Sequence, residues 1–213
     1  MPSWNIHLEA GERLANKLKL SPVSRKEFLL GCLLPDINNG YINNPHITKE
    51  HEETHYAFDD KSSLNFYAEN QSAIDAKNPI FLGYLFHLFV DGFFNYNFYR
   101  NIKRDEKYKD LDRVAKRKIK HHDFWLYDTK FDHSLGLKNS DEAAALAHLA
   151  NEIPTVDLDA DDLEEIESIL TSHDFKKVPE DKIYLFYSEA ALDQLMDDAL
   201  AEFEKQYLEK RNA

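Results

Sequence analysis

Apolar positions along the chain recur mostly at the spacing of helices. Residues 6–20 place apolar side chains one turn apart, and an apolar segment over 25–34 follows Ser24, a capping residue type, and precedes Pro35, which ends helices. Further segments predict helices at 62–76, 79–99, 121–135, 140–153, 161–172 and 188–210. No series of alternating strands stands out, so we expect an all-α fold.

The segment 79–99 is too long and too evenly apolar for a half-buried strand, and it predicts a buried central helix. Its only histidine and its only acid are His87 and Asp91, and Asn95 follows one turn later, so the three form one polar stripe. Gly92 could let a neighbouring helix approach closely. A buried carboxylate is costly unless it is paired or bound to metal, so the stripe predicts either an internal His–Asp hydrogen bond or a metal site.

Further candidate ligands lie upstream of the central helix. His7 belongs to the first predicted helix, Asp36 follows the second, and His51 and His55 follow a loop over 35–50 that is rich in Asn, Pro and Gly. Each has an ordinary structural interpretation when taken alone. Together with His87 and Asp91 they offer imidazole and carboxylate ligands that suit zinc, or manganese or iron with more oxygen donors.

The string His51-Glu52-Glu53-Thr54-His55 matches the H-E-x-x-H pattern of zinc peptidases. In those enzymes the helix continues as buried structure on both sides of the motif. Here the flanking residues 47–50 and 59–62 are polar. We therefore interpret the string as accidental, with His55 as a ligand and His51 as its substitute.

Composition narrows the class of protein. The 213 residues predict a single domain, with a metal-site core over 1–140 and an acidic helical part over 141–213 that carries most of the net charge of −13. The basic stretch 100–120 is either a solvated helix surface or an electropositive rim for phosphate-bearing ligands. It lacks the interleaved aromatic side chains of nucleic-acid binders, so specific nucleic-acid binding is not expected. Cys32 is the only cysteine in the sequence and has no disulfide partner. No signal segment or membrane span is recognisable in the sequence. Both observations favour a cytoplasmic location for the protein.

Four motifs carry a resemblance to a known family. They are HLEAG (7–11), FLLGCLLPDI (28–37), THYAF (54–58) and FLGYLFHLFVDGFF (81–94). In this combination they resemble the zinc-dependent phospholipase C family of prokaryotic proteins, whose distant relatives include single-strand nucleases. The resemblance implies an all-α fold and a cluster of up to three metals that hydrolyses phosphate esters.

The resemblance also implies ligand sets. His7 and Asp91 would hold one metal, and a second would be held by Asp36, His55, His87 and Asp91. Family members commonly carry a histidine where this chain has Asn95, and the secreted enzymes use an N-terminal Trp amino group whereas Trp4 is internal. Their late His-rich segment is matched loosely by residues 120–128, which offer His122, or alternatively His121. One or two ions are therefore expected rather than three.

These observations together predict an intracellular phosphoester hydrolase with metal-activated water as the nucleophile and Asp36 as the base that orients or deprotonates it. The expected substrate is a small phosphorylated compound or a phosphodiester, without stable membrane insertion. Two alternatives remain open. One is an HD-type phosphohydrolase using His87, His122-Asp123 and Asp193, and the other is a non-catalytic helical protein that retains a structural metal.

Overall fold

The computed structural model describes residues 3–37, 49–56, 61–172 and 182–209. Within these ranges the regular structure is helical and contains no strand, which confirms the all-α prediction. The helices are α1 (Trp4–Lys17), α2 (Pro22–Gly31), α3 (Leu34–Ile37), α4 (His51–His55), α5 (Ser62–Asp75), α6 (Pro79–Ile102), α7 (Arg113–Asp128), α8 (Ser140–Ala150), α9 (Ala160–Ser172) and α10 (Glu189–Phe203), followed by a π-helical turn, Glu204–Leu208.

The ends of α2 differ from the prediction. Ser21, not Ser24, is the N-cap, and its hydroxyl accepts a hydrogen bond from the Ser24 backbone N–H at 3.2 Å. Pro22 can therefore occupy the first turn, where a missing N–H costs nothing. At the other end α2 stops at Gly31, before Pro35, which lies in the first turn of α3. Most of the loop predicted over 35–50 lies outside the described residues.

The prediction of a helix over 121–135 is wrong at both ends. α7 begins at Arg113, because the Asp112 side chain accepts a hydrogen bond from the Ala115 backbone N–H at 2.8 Å and caps the helix. It ends at Asp128. Phe131 and Leu135 are buried although their segment is not helical, so their helical spacing reflects burial alone.

α6 is the central helix and packs against α1, α2, α3, α5, α7 and α10. Its closest neighbour is α2, at Gly31 and Gly83: a Cβ atom added at Gly83 would lie 2.1 Å from the Phe28 carbonyl oxygen. Gly92 has no other atom within 4 Å of such a Cβ. The expectation of close helix approach at Gly92 is therefore wrong, and the approach occurs at Gly83, on the side of α6 that faces α2.

The acidic C-terminal part contributes to the core around α6. Phe203 of α10 packs against Phe86 and Phe89, with ring centroids 4.8 Å and 5.4 Å apart, and Tyr207 of the π-helical turn is buried beside them. Among the described residues, no helix is long and apolar enough to cross a membrane.

Candidate metal centre

The polar stripe of α6 points into the protein. His87 and Asp91 are both buried, and α1, α3 and α4 bring His7, Asp36 and His55 to the same place. Asp36 reaches it because the short helix α3 turns the chain directly after α2, which is fixed against α6 by the close approach at Gly31. Four helices thus bring together five of the six candidate ligands predicted from the sequence.

Distances between the side chains show how tightly they converge. His55 Nε2 lies 3.5 Å from Asp36 Oδ1 and 3.6 Å from Asp91 Oδ2. His87 Nε2 lies 4.0 Å from each of the same two oxygen atoms, and His7 Nε2 lies 3.3 Å from the other oxygen of Asp91, Oδ1. Asp91 is therefore the shared member, with one oxygen toward His55 and His87 and the other toward His7.

These separations suit a small cation. Ligand atoms of a tetrahedral zinc with bonds of about 2.0–2.2 Å lie roughly 3.3–3.6 Å from one another. Among Asp36, His55, His87 and Asp91, each of the four His–Asp pairs brings a nitrogen and an oxygen atom to 3.5–4.0 Å, slightly longer than such separations. Two overlapping three-residue sets also have all their ligand atoms within 4.8 Å of one another: His7, Asp36 and His87, and His55, His87 and Asp91.

Buried atoms of the cluster lack hydrogen-bond partners among the described residues. They are His7 Nδ1 and Nε2, both oxygens of Asp36, His55 Nε2, His87 Nε2 and Asp91 Oδ1. Each unsatisfied buried polar group costs about 1–3 kcal/mol, more when it is charged. Such a concentration at one point is accounted for if the atoms bind a cation, and three imidazoles with two carboxylates form a donor set that fits zinc.

Contacts behind the cluster orient two of the imidazoles. His87 Nδ1 lies 2.7 Å from the Cys32 carbonyl oxygen, so this nitrogen carries the proton and donates it there. His55 Nδ1 lies 3.0 Å from the Thr54 hydroxyl oxygen. Fixing Nδ1 in this way leaves Nε2 with its lone pair directed at the cluster, which is the arrangement of histidines that bind metals.

The electrostatics of the cluster depend on opposing effects. Burial alone would raise the pKa of Asp91, but the close contact with His7 and the positive charge available at His87 hold it below its usual range. Burial also acts to raise the pKa of Asp36, and His87 and His55 lower it. Burial and the neighbouring His7 lower the pKa of His87 to about 3. Both carboxylates are thus ionised and His87 is neutral near pH 7, as metal ligands must be.

His51 lies at the edge of the cluster. Its ring stacks on that of His55 at a centroid distance of 3.8 Å, and it is half-buried, whereas His55 is buried and faces both aspartates. Glu52 is exposed, and Glu53 accepts a hydrogen bond from the Glu50 backbone N–H in a capping box. The acidic residues of the H-E-x-x-H string thus serve the helix end and the surface.

His122 belongs to neither of the two three-residue sets. Its Nδ1 lies 3.4 Å from Asp123 Oδ1, and Asp123 itself accepts hydrogen bonds from the backbone N–H groups of Leu185, Phe186 and Tyr187 at 2.7–2.9 Å. Asp193 binds Tyr127 and Lys130 instead of His87, with hydrogen bonds of 2.7–3.2 Å. The residues that an HD-type site requires are therefore used in two separate structural contacts.

His121, the alternative to His122, lies beside Trp125, with ring centroids 5.3 Å apart.

One neighbour of the cluster was missed by the sequence analysis. Lys120 of α7 is buried, and its Nζ donates a hydrogen bond to Asn95 Oδ1 at 2.6 Å. The signal was present in the sequence, because Lys120 shares a helix face with the apolar residues Phe124 and Tyr127. The many other lysine and arginine residues of the stretch 100–120 mask this signal.

Comparison with known proteins gives one match. The family model described as zinc dependent phospholipase C matches residues 6–208 of the 213-residue chain. Neither the curated proteins nor the solved structures include a match to this chain. The matched range includes all five residues of the cluster and extends well beyond the first 100 residues, in which the sequence motifs were found.

Proposed function

Because this chain belongs to the zinc-dependent phospholipase C family, we propose that it is a metal-dependent phosphoester hydrolase. The observation that carries the proposal is the cluster itself. Five buried side chains from four helices direct imidazole and carboxylate atoms, most of them without other partners, at one point. A structural role alone would be served more simply by paired groups, since unpaired buried charges cost stability.

We assign the ligands from the family resemblance together with their separations. Asp36, His55, His87 and one oxygen of Asp91 would hold one zinc ion, and His7 with the other oxygen of Asp91 would contribute to a second. One or two ions fit this donor set, and manganese or iron would be alternatives. A bound zinc ion supplies a Lewis acid and lowers the pKa of a water ligand towards about 7.

Asp36 is our candidate for the general base. Its Oδ1 faces His55 and His87, and its Oδ2 also has no hydrogen-bond partner among the described residues. The second oxygen can therefore accept the proton of the attacking water while the first keeps its place in the cluster. His87, held by the Cys32 carbonyl oxygen, orients the cluster but has no free nitrogen for proton transfer once it binds metal.

The substrate class is proposed from the chemistry of the site and its surroundings. A zinc site with ionised carboxylates suits the hydrolysis of phosphate esters. In residues 100–120, the lysine and arginine side chains are exposed except for Lys116 and Lys120. This exposed basic surface would raise the local concentration of phosphorylated ligands at low ionic strength. Small phosphomonoesters, phosphodiesters or nucleotides are the proposed substrates.

The test compares chromogenic esters and two variants. Zinc-loaded protein is assayed with p-nitrophenyl phosphate, bis-(p-nitrophenyl) phosphate and p-nitrophenyl phosphorylcholine. Asp36→Asn is expected to lower turnover by at least about 100-fold while zinc is retained, within the range for loss of a general base. Glu52→Gln makes the same chemical change at an exposed position of the H-E-x-x-H string and is expected to leave turnover unchanged.

Two results would contradict the proposal. Turnover that survives Asp36→Asn would remove the assigned base. Bound zinc without turnover of any ester would favour the alternative of a structural metal.

A further inference from the structure

The polar stripe of α6 ends at a lysine from a neighbouring helix. Asn95 lies one turn after Asp91, and its Oδ1 accepts a hydrogen bond from Lys120 Nζ at 2.6 Å. The ring of Tyr99, one turn further, lies 5.4 Å from the same nitrogen. An ammonium group is therefore held at the end of the polar stripe by a neutral amide and an aromatic ring.

Lys120 is only 5 % exposed, so the position of its charge requires an explanation. No carboxylate of the described residues lies within 4.0 Å of its Nζ. The pKa of Lys120 is lowered by burial, and the nearby charge of Asp91 offsets only part of this effect. The anionic cluster thus compensates the ammonium in part, without a direct ion pair.

A cation at the cluster changes this balance. The two carboxylates carry two negative charges, which one zinc ion would neutralise, and the Lys120 ammonium would then lack a compensating anion. A buried unpaired charge is costly. A phosphate group would supply that anion, and the ammonium has three N–H donors, of which Asn95 uses one.

We propose that Lys120 is a substrate-binding residue whose Nζ, positioned by Asn95, contacts a non-bridging oxygen of the phosphoryl group at the metal cluster. This is the least buried side of the cluster, because Asp91 is the most exposed of the five cluster residues and Asn95 is only half-buried. The proposal rests on the proposed function for its ligand chemistry, and it adds a recognition residue that is not part of the metal cluster.

The chain provides a matched control for Lys120. Lys116 lies one turn earlier on α7 and is similarly buried, at 8 % exposure, but its Nζ donates to the Lys109 carbonyl oxygen at 2.6 Å. These two are the buried lysines of the basic stretch 100–120. Replacing either by Met removes a buried charge and keeps an unbranched side chain only one atom shorter, so the two variants differ in the location of the charge that is lost.

The experiment measures binding of inorganic phosphate to zinc-loaded protein by calorimetry, without any need for turnover. Loss of one charge-assisted hydrogen bond predicts that Lys120→Met weakens binding by roughly 10- to 100-fold. Lys120→Arg is expected to retain most of the affinity, and Lys116→Met to bind like the wild type. Zinc content is measured for each variant, so that loss of metal is not mistaken for loss of phosphate contact.

Three results would overturn the inference: wild-type affinity in Lys120→Met, an equal loss in Lys116→Met, or no phosphate binding by the wild-type protein at millimolar concentration. If Lys120→Met loses zinc or fails to fold, Asn95→Ala keeps the lysine and removes its positioning partner. Its expected effect is a weakening of several-fold, and unchanged affinity would count against the proposal. Lysine-dependent phosphate binding by a protein that hydrolyses no ester would refute the proposed function and leave this inference standing.

Discussion

Replacing Gly83 by alanine should disrupt the packing between α2 and α6. The added Cβ would lie 2.1 Å from the Phe28 carbonyl oxygen and 3.0 Å from the Cys32 backbone nitrogen. Both neighbours are backbone atoms, so no flexible side chain can move aside. An ordinary carbon–oxygen contact requires a separation roughly 1 Å larger, and overpacking of this kind costs typically 1–3 kcal/mol, occasionally more.

We expect Gly83→Ala to lower the free energy of unfolding by about 2 kcal/mol or more, because a packing cost of about 3 kcal/mol, at the upper end of that range, is offset by only about 1 kcal/mol from alanine's helix propensity. The change should also weaken zinc binding. Displacing α2 moves the Cys32 carbonyl oxygen that holds His87 Nδ1 at 2.7 Å.

Gly92→Ala on the same helix is the matched control. Its Cβ would meet no other atom within 4 Å, so only the helix propensity changes, and a stabilisation of about 0.5–1 kcal/mol is expected. Urea unfolding followed by circular dichroism, with chelator and with zinc, measures both variants. A free energy of unfolding for Gly83→Ala within about 0.5 kcal/mol of the wild-type value would contradict the proposed steric conflict between α2 and α6. Equal destabilisation by Gly92→Ala would contradict it as well.

Three further predictions concern the site and its supports. Asp123→Ala should lower the free energy of unfolding by about 3 kcal/mol or more, because three backbone N–H groups lose their acceptor. Urea unfolding measures this change, and a change below about 1 kcal/mol would contradict the prediction. In the presence of chelator, acidification from pH 6.5 to about pH 3 should destabilise the wild type more than the His87→Gln variant. Over this range the imidazole of His87 binds a proton in the unfolded state but not in the folded state. Equal pH dependence of unfolding in the two proteins would contradict this. His55→Gln should abolish zinc binding, whereas His51→Gln should retain most of it. Titration of zinc against a chromophoric chelator measures the affinity of both variants. The reverse result would make His51 the ligand in place of His55.

Much of the candidate site was accessible from the sequence because α6 is almost wholly apolar. In such a helix, His87 and Asp91 at i and i+4 must share a buried face, whatever the rest of the fold. Periodicity could not show that His7, Asp36 and His55 converge on the same face. Their convergence depends on the packing of four helices, and it was expected from their shared ligand chemistry and from the family resemblance.

Other features depended on information that periodicity does not carry. The start of α7 is determined by the Asp112 side chain, and Phe131 is buried outside a helix because tertiary contacts replace helical ones. Gly83 and Gly92 are indistinguishable in the sequence, and only the position of α2 determines which of them permits close approach. Lys120 was hidden for a related reason, since its burial follows from α7 facing α6.

Elemental analysis of protein purified without chelator is the most direct test of the metal centre. We expect at least about one zinc ion per chain, because a buried donor set of this size suits a zinc ion. Asp91→Asn should lose the metal, because Asp91 faces three of the histidines, whereas Asp193→Asn, which alters a carboxylate bound to Tyr127 and Lys130, should keep it. Less than about 0.2 metal per wild-type chain, with no rebinding of zinc, manganese or iron, would contradict the account.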